Sequence, residues 1–421
     1  MKRLEAVGPA RRDFWRSPLR GPWLTSVFGL LLLVGVTLMF VTGLLSYDAY
    51  NPGLRGNDTT PGHGSLGFYF FDWPTHPYWL YRLTQGLHVT LGLVLIPILL
   101  AKLWSVIPKL FELPPVRSVA QAIERVSLLL LVGGAVFEFV TGVMDIQYWY
   151  KFPGSFYSLH LYGAWVFIAA FLVHVAIKFP KMVRSLRSRR WGDVMRTDTA
   201  RTVAEPPDVD GLVSPAPAVA TMSRRGALGL VGAGSLLLFV TSVGQSIGGS
   251  LRRTALFGPR GTNPGHGPNG FQVNKTANGV GVAKKAMDPT WRLELVGRSR
   301  HLAFSRSELE AMVQHRSHLP IACVEGWSTP NQAWEGLRIR DLAALAGMPR
   351  PATAYVESLE RGGFGAVTLR GNQVVDPDSL LALRVNGATL SLDHGYPARV
   401  IVPDNPGVHN TKWVTRITFN A

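Results

Sequence analysis

The chain has 421 residues, carries 43 Lys and Arg against 27 Asp and Glu, and contains a single cysteine, which excludes an internal disulfide. Its length allows two or three domains, and the basic balance calls for an anionic partner or a membrane. Charged residues make up only 17% of the chain and the basic ones flank long apolar runs, which argues against nucleic acid as the partner.

Residues 1–22 are polar and carry Lys2, Arg3, Arg11, Arg12, Arg16 and Arg20, the pattern of a cytoplasmic segment. Apolar runs of about 20 residues cross a bilayer, and four follow in the region 23–180. They are Trp23 to about Ser46, Leu80 to about Ile107, Val126 to about Tyr148 and Phe156 to about Phe179. The first connection, about Tyr47 to Tyr78, has Arg55 as its sole basic residue and is assigned to the outer side. The second carries Lys109, Arg117 and Arg125 and is assigned to the inner side. Lys151 is the single base in the third.

After the fourth span the linker 181–222 is first strongly basic, with Lys181, Arg184, Arg187, Arg189, Arg190, Arg196 and Arg201. It then turns rich in Pro and Ala, which predicts a cytoplasmic anchor followed by a flexible connector. Residues 223–249 open on Ser223-Arg224-Arg225 and continue as an uncharged run, a fifth span that links two domains. Its start resembles a twin-arginine export signal, with Ala227 where a large apolar residue is usual. Two arginines obeying the positive-inside rule are the alternative, and either reading sends the rest of the chain outside.

Residues 250–421 read as soluble. The Gly- and Pro-dense stretch Gly258 to Gly270 excludes regular structure. Beyond it, Trp291 to Val296, Ala354 to Leu359, Ala366 to Leu369, Arg399 to Val402 and Trp413 to Phe419 read as strands. Ser307 to His315 and Asp341 to Ala346 read as short helices, and together these elements predict a mixed α+β domain.

Within that domain the motif Cys323-Val324-Glu325-Gly326-Trp327-Ser328 is followed by Ala333-Trp334-Glu335-Gly336-Leu337 and later by His394-Gly395-Tyr396-Pro397-Ala398-Arg399. In this order the motifs resemble the molybdenum domain of the sulfite oxidase family. The resemblance implies an oxidoreductase in which the Cys323 thiolate ligates molybdenum held by molybdopterin; a soft thiolate suits such a metal. It also implies a cofactor cage from Asn274, Lys275, Thr276, Ser358, His394, Arg399, Asn410, Thr411 and Lys412, with Arg399 and Lys412 as phosphate partners. An arginine-rich segment after the cysteine, present in the eukaryotic sulfite oxidases, is replaced here by Val324-Glu325-Gly326. The pattern is closer to the bacterial branch that includes the periplasmic methionine-sulfoxide reductases, and the substrate stays open between a small oxyanion and a sulfoxide. Arg361, His409, Tyr355 and Trp327 are candidates for its pocket.

Three histidines fall inside spans: His88, His160 and His174. Ionisable groups in a bilayer are costly and mark function, although a single one also serves helix-to-helix hydrogen bonding. His160 and His174 are 14 residues apart and share a helix face about 21 Å apart, a spacing suited to haems stacked across a membrane. Gly86, Gly92 and Gly163 leave room for a macrocycle or for close helix packing. The spans look like the haem b subunits of formate dehydrogenases and hydrogenases, which implies quinone as electron partner. By depth, His88 at about 13 Å pairs better with His160 at about 6 Å than with His174 at about 27 Å. The outer-loop histidines His63 and His76 read as solvated.

The expected fold class is an all-α membrane helix bundle of four spans plus a fifth linking span, followed by an α+β sulfite-oxidase-type molybdopterin domain on the outer face of a bacterial cell membrane. The expected partners are membrane lipid, quinone and a small-molecule substrate. The rival reading is a transporter or receptor with an inactive outer domain, for which Glu138 and Asp145 are the intramembrane carboxylates.

Overall fold

A computed structural model describes residues 14–49, 68–111, 119–147, 156–258, 267–362 and 364–421, with residues 8, 11, 66 and 149. His63, Arg55, Arg117, Lys151, Lys2, Arg3 and Arg12 lie outside the described residues, as does 259–266 of the Gly- and Pro-dense stretch.

The long helices are α1 (Pro22–Ala49), α2 (Leu80–Leu110), α3 (Val119–Ile146), α4 (Phe156–Arg187) and, after the short α5 (Trp191–Arg196), α6 (Arg224–Ser242), continued by α7 (Gly244–Ile247). Five are long and apolar enough to cross a membrane, the last counted from Arg224 to Ile247. Local chemistry fixes their starts. Pro22 occupies the first turn of α1, where its missing N–H is no loss, and the Glu205 carboxylate accepts from the Trp23 N–H at 3.1 Å. Ser223 caps α6 by accepting from the Gly226 N–H at 3.1 Å. Pro97 and Pro108 lie inside α2 and Pro180 inside α4.

The chain divides into two compact units. Residues 1–41, 90–144 and 160–240 make a helical unit. Its core holds Trp23, Leu24, Val27 and Phe28 of α1 with Leu95 and Ile98 of α2, and a second cluster joins Val36, Ala135, Phe167, Ile168 and Phe171. The twin arginines belong to this unit. Arg224 is buried, donates to the carbonyls of Val203 at 2.8 Å and Pro18 at 3.2 Å, and lies 4.0 Å from Glu205. Arg225 donates to the Met195 carbonyl at 3.0 Å.

The other unit holds residues 42–89, 145–159 and 241–421. Its elements are α8 (Ala283–Ala286), β1 (Arg292–Val296), β2 (His301–Ser305), α9 (Arg306–Ala311), β3 (His315–Leu319), β4 (Gln332–Arg338), α10 (Ile339–Leu345), β5 (Thr353–Ser358), β6 (Ala366–Arg370), α11 (Gly371–Val375), β7 (Leu380–Val385), β8 (Ala388–Thr389), β9 (Arg399–Ile401) and β10 (Val414–Asn420). One sheet runs β2-β1-β10-β5-β6 and the other β3-β4-β7-β8, with β9 also pairing β7. The β1–β10 pair is parallel and ties the two ends of the domain together; the remaining pairs are antiparallel. An apolar core from both sheets, including Leu293, Leu295, Val356, Leu369, Leu381, Val400 and Ile417, holds them.

The strands expected at 291–296, 354–359, 366–369, 399–402 and 413–419 are present within a residue or two. The second half of the helix expected from Ser307 to His315 is instead a turn leading into β3. Strands β2, β3, β4, β7 and β8 add to those the sequence predicts. In β7, Leu380 to Ala382, Leu383 and Val385 are all buried, so the strand has no alternation to read. In β4, Gly336 interrupts the pattern at the point where the register with β7 shifts, and a Cβ there would meet the Leu381 carbonyl oxygen at 2.1 Å.

Candidate functional site

Cys323 sits at the tip of the β3–β4 connection. The loop closes on itself: the Cys323 N–H donates to the Trp327 carbonyl at 2.8 Å, the Gly326 N–H to the Cys323 carbonyl at 3.0 Å, and the Thr329 N–H to the Ile321 carbonyl at 2.8 Å. Gly326 adopts φ +84°, the left-handed conformation that favours glycine, and a side chain there would meet Val89 of α2 at 2.8 Å. The thiol is buried, with Sγ 2.8 Å from Glu325 Oε2, and the same oxygen accepts from Trp327 Nε1 at 2.7 Å. Burial first, and the Glu325 charge second, push the Cys323 thiol well above its ordinary range. Such a sulfur is unreactive by itself and becomes a thiolate on binding a metal cation.

The loop rests on helices of its own unit. Gln85 of α2 donates through Nε2 to the Val324 carbonyl. Ser246 of α7 donates to the Gly326 carbonyl and accepts from Ser328, each at 2.5 Å. On the other side the Gly407 N–H donates to the Ala322 carbonyl at 2.7 Å. Asp404, in the same turn, accepts from the Tyr81 N–H at 2.7 Å through its carboxylate and from Trp73 Nε1 at 2.9 Å through its carbonyl. Ala49, Trp73, Tyr81 and Ala322 form one small apolar cluster.

Several expected cofactor residues converge. Ser358 Oγ donates to the Lys412 carbonyl at 2.7 Å, and Lys412 Nζ donates to the carbonyls of Lys275 at 2.8 Å and Asp393 at 2.7 Å. Lys275 itself pairs with Glu360 at 2.6 Å. Arg399 donates to the His394 carbonyl at 3.3 Å, and the His394 ring stacks on Phe271 with centroids 3.7 Å apart. The Arg399 guanidinium is fully enclosed, has no carboxylate partner among the described residues, and leaves its Nε without a hydrogen bond. Burial lowers its pKa to about 9. Burial and then the Arg399 and Lys275 charges depress Lys412 strongly. Burial, Arg399 and Lys412 bring His394 to about 3. Arg399, an enclosed cation with no carboxylate partner among the described residues and with Lys412 beside it, is costly without an anion. The enclosed Arg399 and Lys412 therefore fit an anionic cofactor such as molybdopterin, and the Cys323 thiol has the chemistry of a soft ligand to its metal.

Other expected residues have local duties. Asn410 Oδ1 accepts from the Val402 N–H at 2.9 Å, and Thr276 Oγ1 from the Gly279 N–H at 3.1 Å. The Thr411 carbonyl accepts from the Val400 N–H at 2.9 Å, and Asn274 lies in the segment between Phe271 and Lys275. Of the substrate-pocket candidates, Trp327 is bound to Glu325, and His409 is buried in the turn that touches Ala322, its pKa brought to about 3 by burial. Tyr355 lies in β5 opposite Thr418 and Thr368, and Arg361 is exposed after that strand. Glu325, Gln85 and Asp404 join the site without being among the residues the sequence points to. Of the three, Glu325 alone carries a local signal, two residues after the cysteine.

The membrane histidines differ in how their rings are held. His88 Nδ1 is 3.1 Å from Thr42 Oγ1, in one unit. His160 Nδ1 is 3.0 Å from both Thr141 Oγ1 and Glu138 Oε2, in the other. A hydroxyl or carboxylate on Nδ1 orients the ring, as the hydrogen-bond partners of metal-bound histidines do. His174 has no hydrogen bond of this kind among the described residues. Glycines also stand at the two held rings: a Cβ at Gly43 would be 3.3 Å from His88 Cε1, and one at Gly142 would be 3.8 Å from His160 Cε1. Each of these two histidines, within its own unit, thus has the Nδ1 partner that a metal-ligating ring needs. Gly86 and Gly92, by contrast, face Ser246 and Met39 and serve helix packing. His76, expected in solvent, is half exposed and lies 3.2 Å from Asp376.

Residues 280–421 match the family described as oxidoreductase molybdopterin binding domain. Over 130 residues the chain is 31% identical to the uncharacterized oxidoreductase YuiH of Bacillus subtilis, covering 31% of this chain and 65% of that protein. It is 33% identical over 114 residues to the sulfite oxidase of Arabidopsis thaliana, covering 23% of this chain and 29% of that one. The chain thus spans less than two thirds of the length of these relatives. The sulfane dehydrogenase SoxCD of Paracoccus pantotrophus aligns with 31% of this chain and 38% of its own at 24% identity and a TM-score of 0.29, too slight a likeness to support a shared architecture.

Proposed function

We propose, from the match of residues 280–421 to the oxidoreductase molybdopterin binding domain and the likeness to sulfite oxidases, that the chain is a membrane-bound molybdenum oxidoreductase. Its domain lies on the outer face, acts on a small oxyanion or sulfoxide, and exchanges electrons with quinone through haem b in the helices. The observation that carries the reading is the anchoring of the single thiol. The Cys323 loop is hydrogen-bonded by Gln85, three residues before His88 on α2, about 4.5 Å along the helix. A metal ligand and a candidate haem ligand are thus joined through one helix turn and one hydrogen bond.

When bound, molybdopterin supplies the two-electron oxygen-atom exchange. The protein's part is to hold and orient it. Cys323 would offer one sulfur from a loop closed by its own backbone hydrogen bonds, and its burial keeps water from the sulfur. Arg399 and Lys412 would balance the anionic cofactor, with Lys275 beside them paired to Glu360, and His394 stays neutral as a hydrogen-bonding group. Glu325 holds Trp327 against the sulfur. In the membrane, Thr42 and Thr141 orient His88 and His160.

Variants test the reading. Cys323→Ser is expected to abolish turnover and molybdenum binding while the protein stays in the membrane with its haem spectrum intact. His88→Ala and His160→Ala are each expected to lose a low-spin haem b spectrum that His174→Ala keeps. Loss of the spectrum in His174→Ala with retention in His160→Ala would reassign the ligands, and full activity in Cys323→Ser would remove the molybdenum reading.

A further inference from the structure

Glu138 is a carboxylate inside an apolar span, 7% exposed, with no lysine or arginine within ion-pair distance among the described residues. One oxygen, Oε2, lies 3.0 Å from His160 Nδ1. The other, Oε1, is buried without a hydrogen bond, beside Gly163, where a Cβ would come within 2.2 Å of it. Thr141 completes the arrangement: its hydroxyl donates to the Phe137 carbonyl at 2.7 Å and turns a lone pair to the same His160 nitrogen at 3.0 Å. A helix in lipid keeps such a carboxylate only where it serves a purpose. A transporter role would need a chain of ionisable groups, whereas the contacts of Glu138 converge on a single imidazole nitrogen.

We propose that Glu138 is a positioning and tuning residue for His160, accepting its Nδ1–H and making its Nε2 a stronger electron donor to haem iron. The inference rests on the haem reading above. If Nε2 ligates iron, Nδ1 carries the proton and can only donate, and both groups facing it offer oxygens as acceptors. A carboxylate acceptor raises the basicity of a metal-bound histidine, and hydrogen bonding behind the axial ligand is one of the levers that set a haem's reduction potential. The low dielectric of the span strengthens the effect. At His88 the Thr42 hydroxyl lies 3.1 Å from Nδ1. Gly163 is the clearance that admits the carboxylate.

The test is a potentiometric titration of the haem b absorbance in the purified full-length protein, wild type against Glu138→Gln and Thr141→Val. Glu138→Gln keeps an oxygen acceptor but not the carboxylate. It is expected to favour the ferrous state by tenfold or more, about 59 mV upward for a one-electron couple, with the low-spin spectrum retained. Thr141→Val, which leaves the carboxylate in place, is expected to shift the midpoint less. A midpoint in Glu138→Gln within twofold of wild type, or a larger shift in Thr141→Val, overturns the proposal. Absence of haem b from the wild-type protein would instead overturn the reading beneath it, so the two failures are distinguishable.

Discussion

At the scale of single residues, charge without a partner says most about the site. Arg399 is enclosed and unmatched by any carboxylate among the described residues, and its neighbours Lys412 and His394 are both held toward their neutral forms by burial and by its charge. Replacing it with an apolar side chain of similar length should therefore act in opposite directions with and without cofactor. Arg399→Met is expected to raise the melting temperature of the cofactor-free protein and to lose bound molybdenum. Thermal unfolding of protein made in molybdate-starved cells, beside metal content of protein made with molybdate, checks both signs. A destabilised cofactor-free variant would mean that the arginine is a structural group. The sequence points to Cys323, His394, Arg399 and Lys412 through motifs that resemble, in their order, the molybdenum domain of the sulfite oxidase family. Glu325 stands in the same motif, but its role appears only when the loop folds it onto the sulfur and Trp327.

At the scale of elements, the sequence is most readable where hydropathy is strongly patterned. All five long helices and the half-buried strands β1, β5 and β10 lie close to where the pattern predicts them. It is least readable where burial erases alternation, as in β7, and in contacts between distant segments. The start of α2 is such a contact: its Tyr81 N–H is capped by Asp404, 323 residues away. Burial raises the Asp404 carboxyl from 3.8 to about 8, against the lowering effect of the hydrogen bonds from Tyr81 and Trp73. Because the folded-state pKa is raised, the protonated form favours folding: this contribution is fully present below 3.8 and is lost as pH rises through about 8. Asp404→Asn keeps an oxygen acceptor and cannot charge, so its stability should fall less than that of wild type over that window. Asp404→Ala removes the cap and should cost about 1 kcal/mol. Denaturant unfolding in detergent across the pH range measures both, and parallel pH profiles for the Asp404→Asn variant and wild-type protein would contradict the assignment.

At the scale of the whole molecule, the proposed topology puts the domain at residues 250–421 outside, on the strength of the basic residues around the first, third and fifth polar segments. A phosphatase fused after Ala421 is expected to be active, and a reporter active only in the cytoplasm would reverse the topology. The twin arginines sharpen the point. Arg224 has ordered partners, Val203, Pro18 and Glu205, that a lysine would meet less well, and Arg225 has one. Lysine at both positions preserves the charge that the positive-inside rule acts on. If Arg224 and Arg225 form an export signal for a folded, cofactor-loaded domain, the double lysine variant leaves that domain unexported; if they are anchors, the domain still appears outside and active.

The most direct test of a molybdenum domain joined to a haem-bearing membrane domain is the metal content and optical spectrum of one purified preparation of the full chain. Molybdenum lost in Cys323→Ser, together with low-spin haem b in the same polypeptide, is the expected result. Molybdenum with no haem b at any redox poise would contradict the account, because the helices would then hold no acceptor for the electrons of the outer domain.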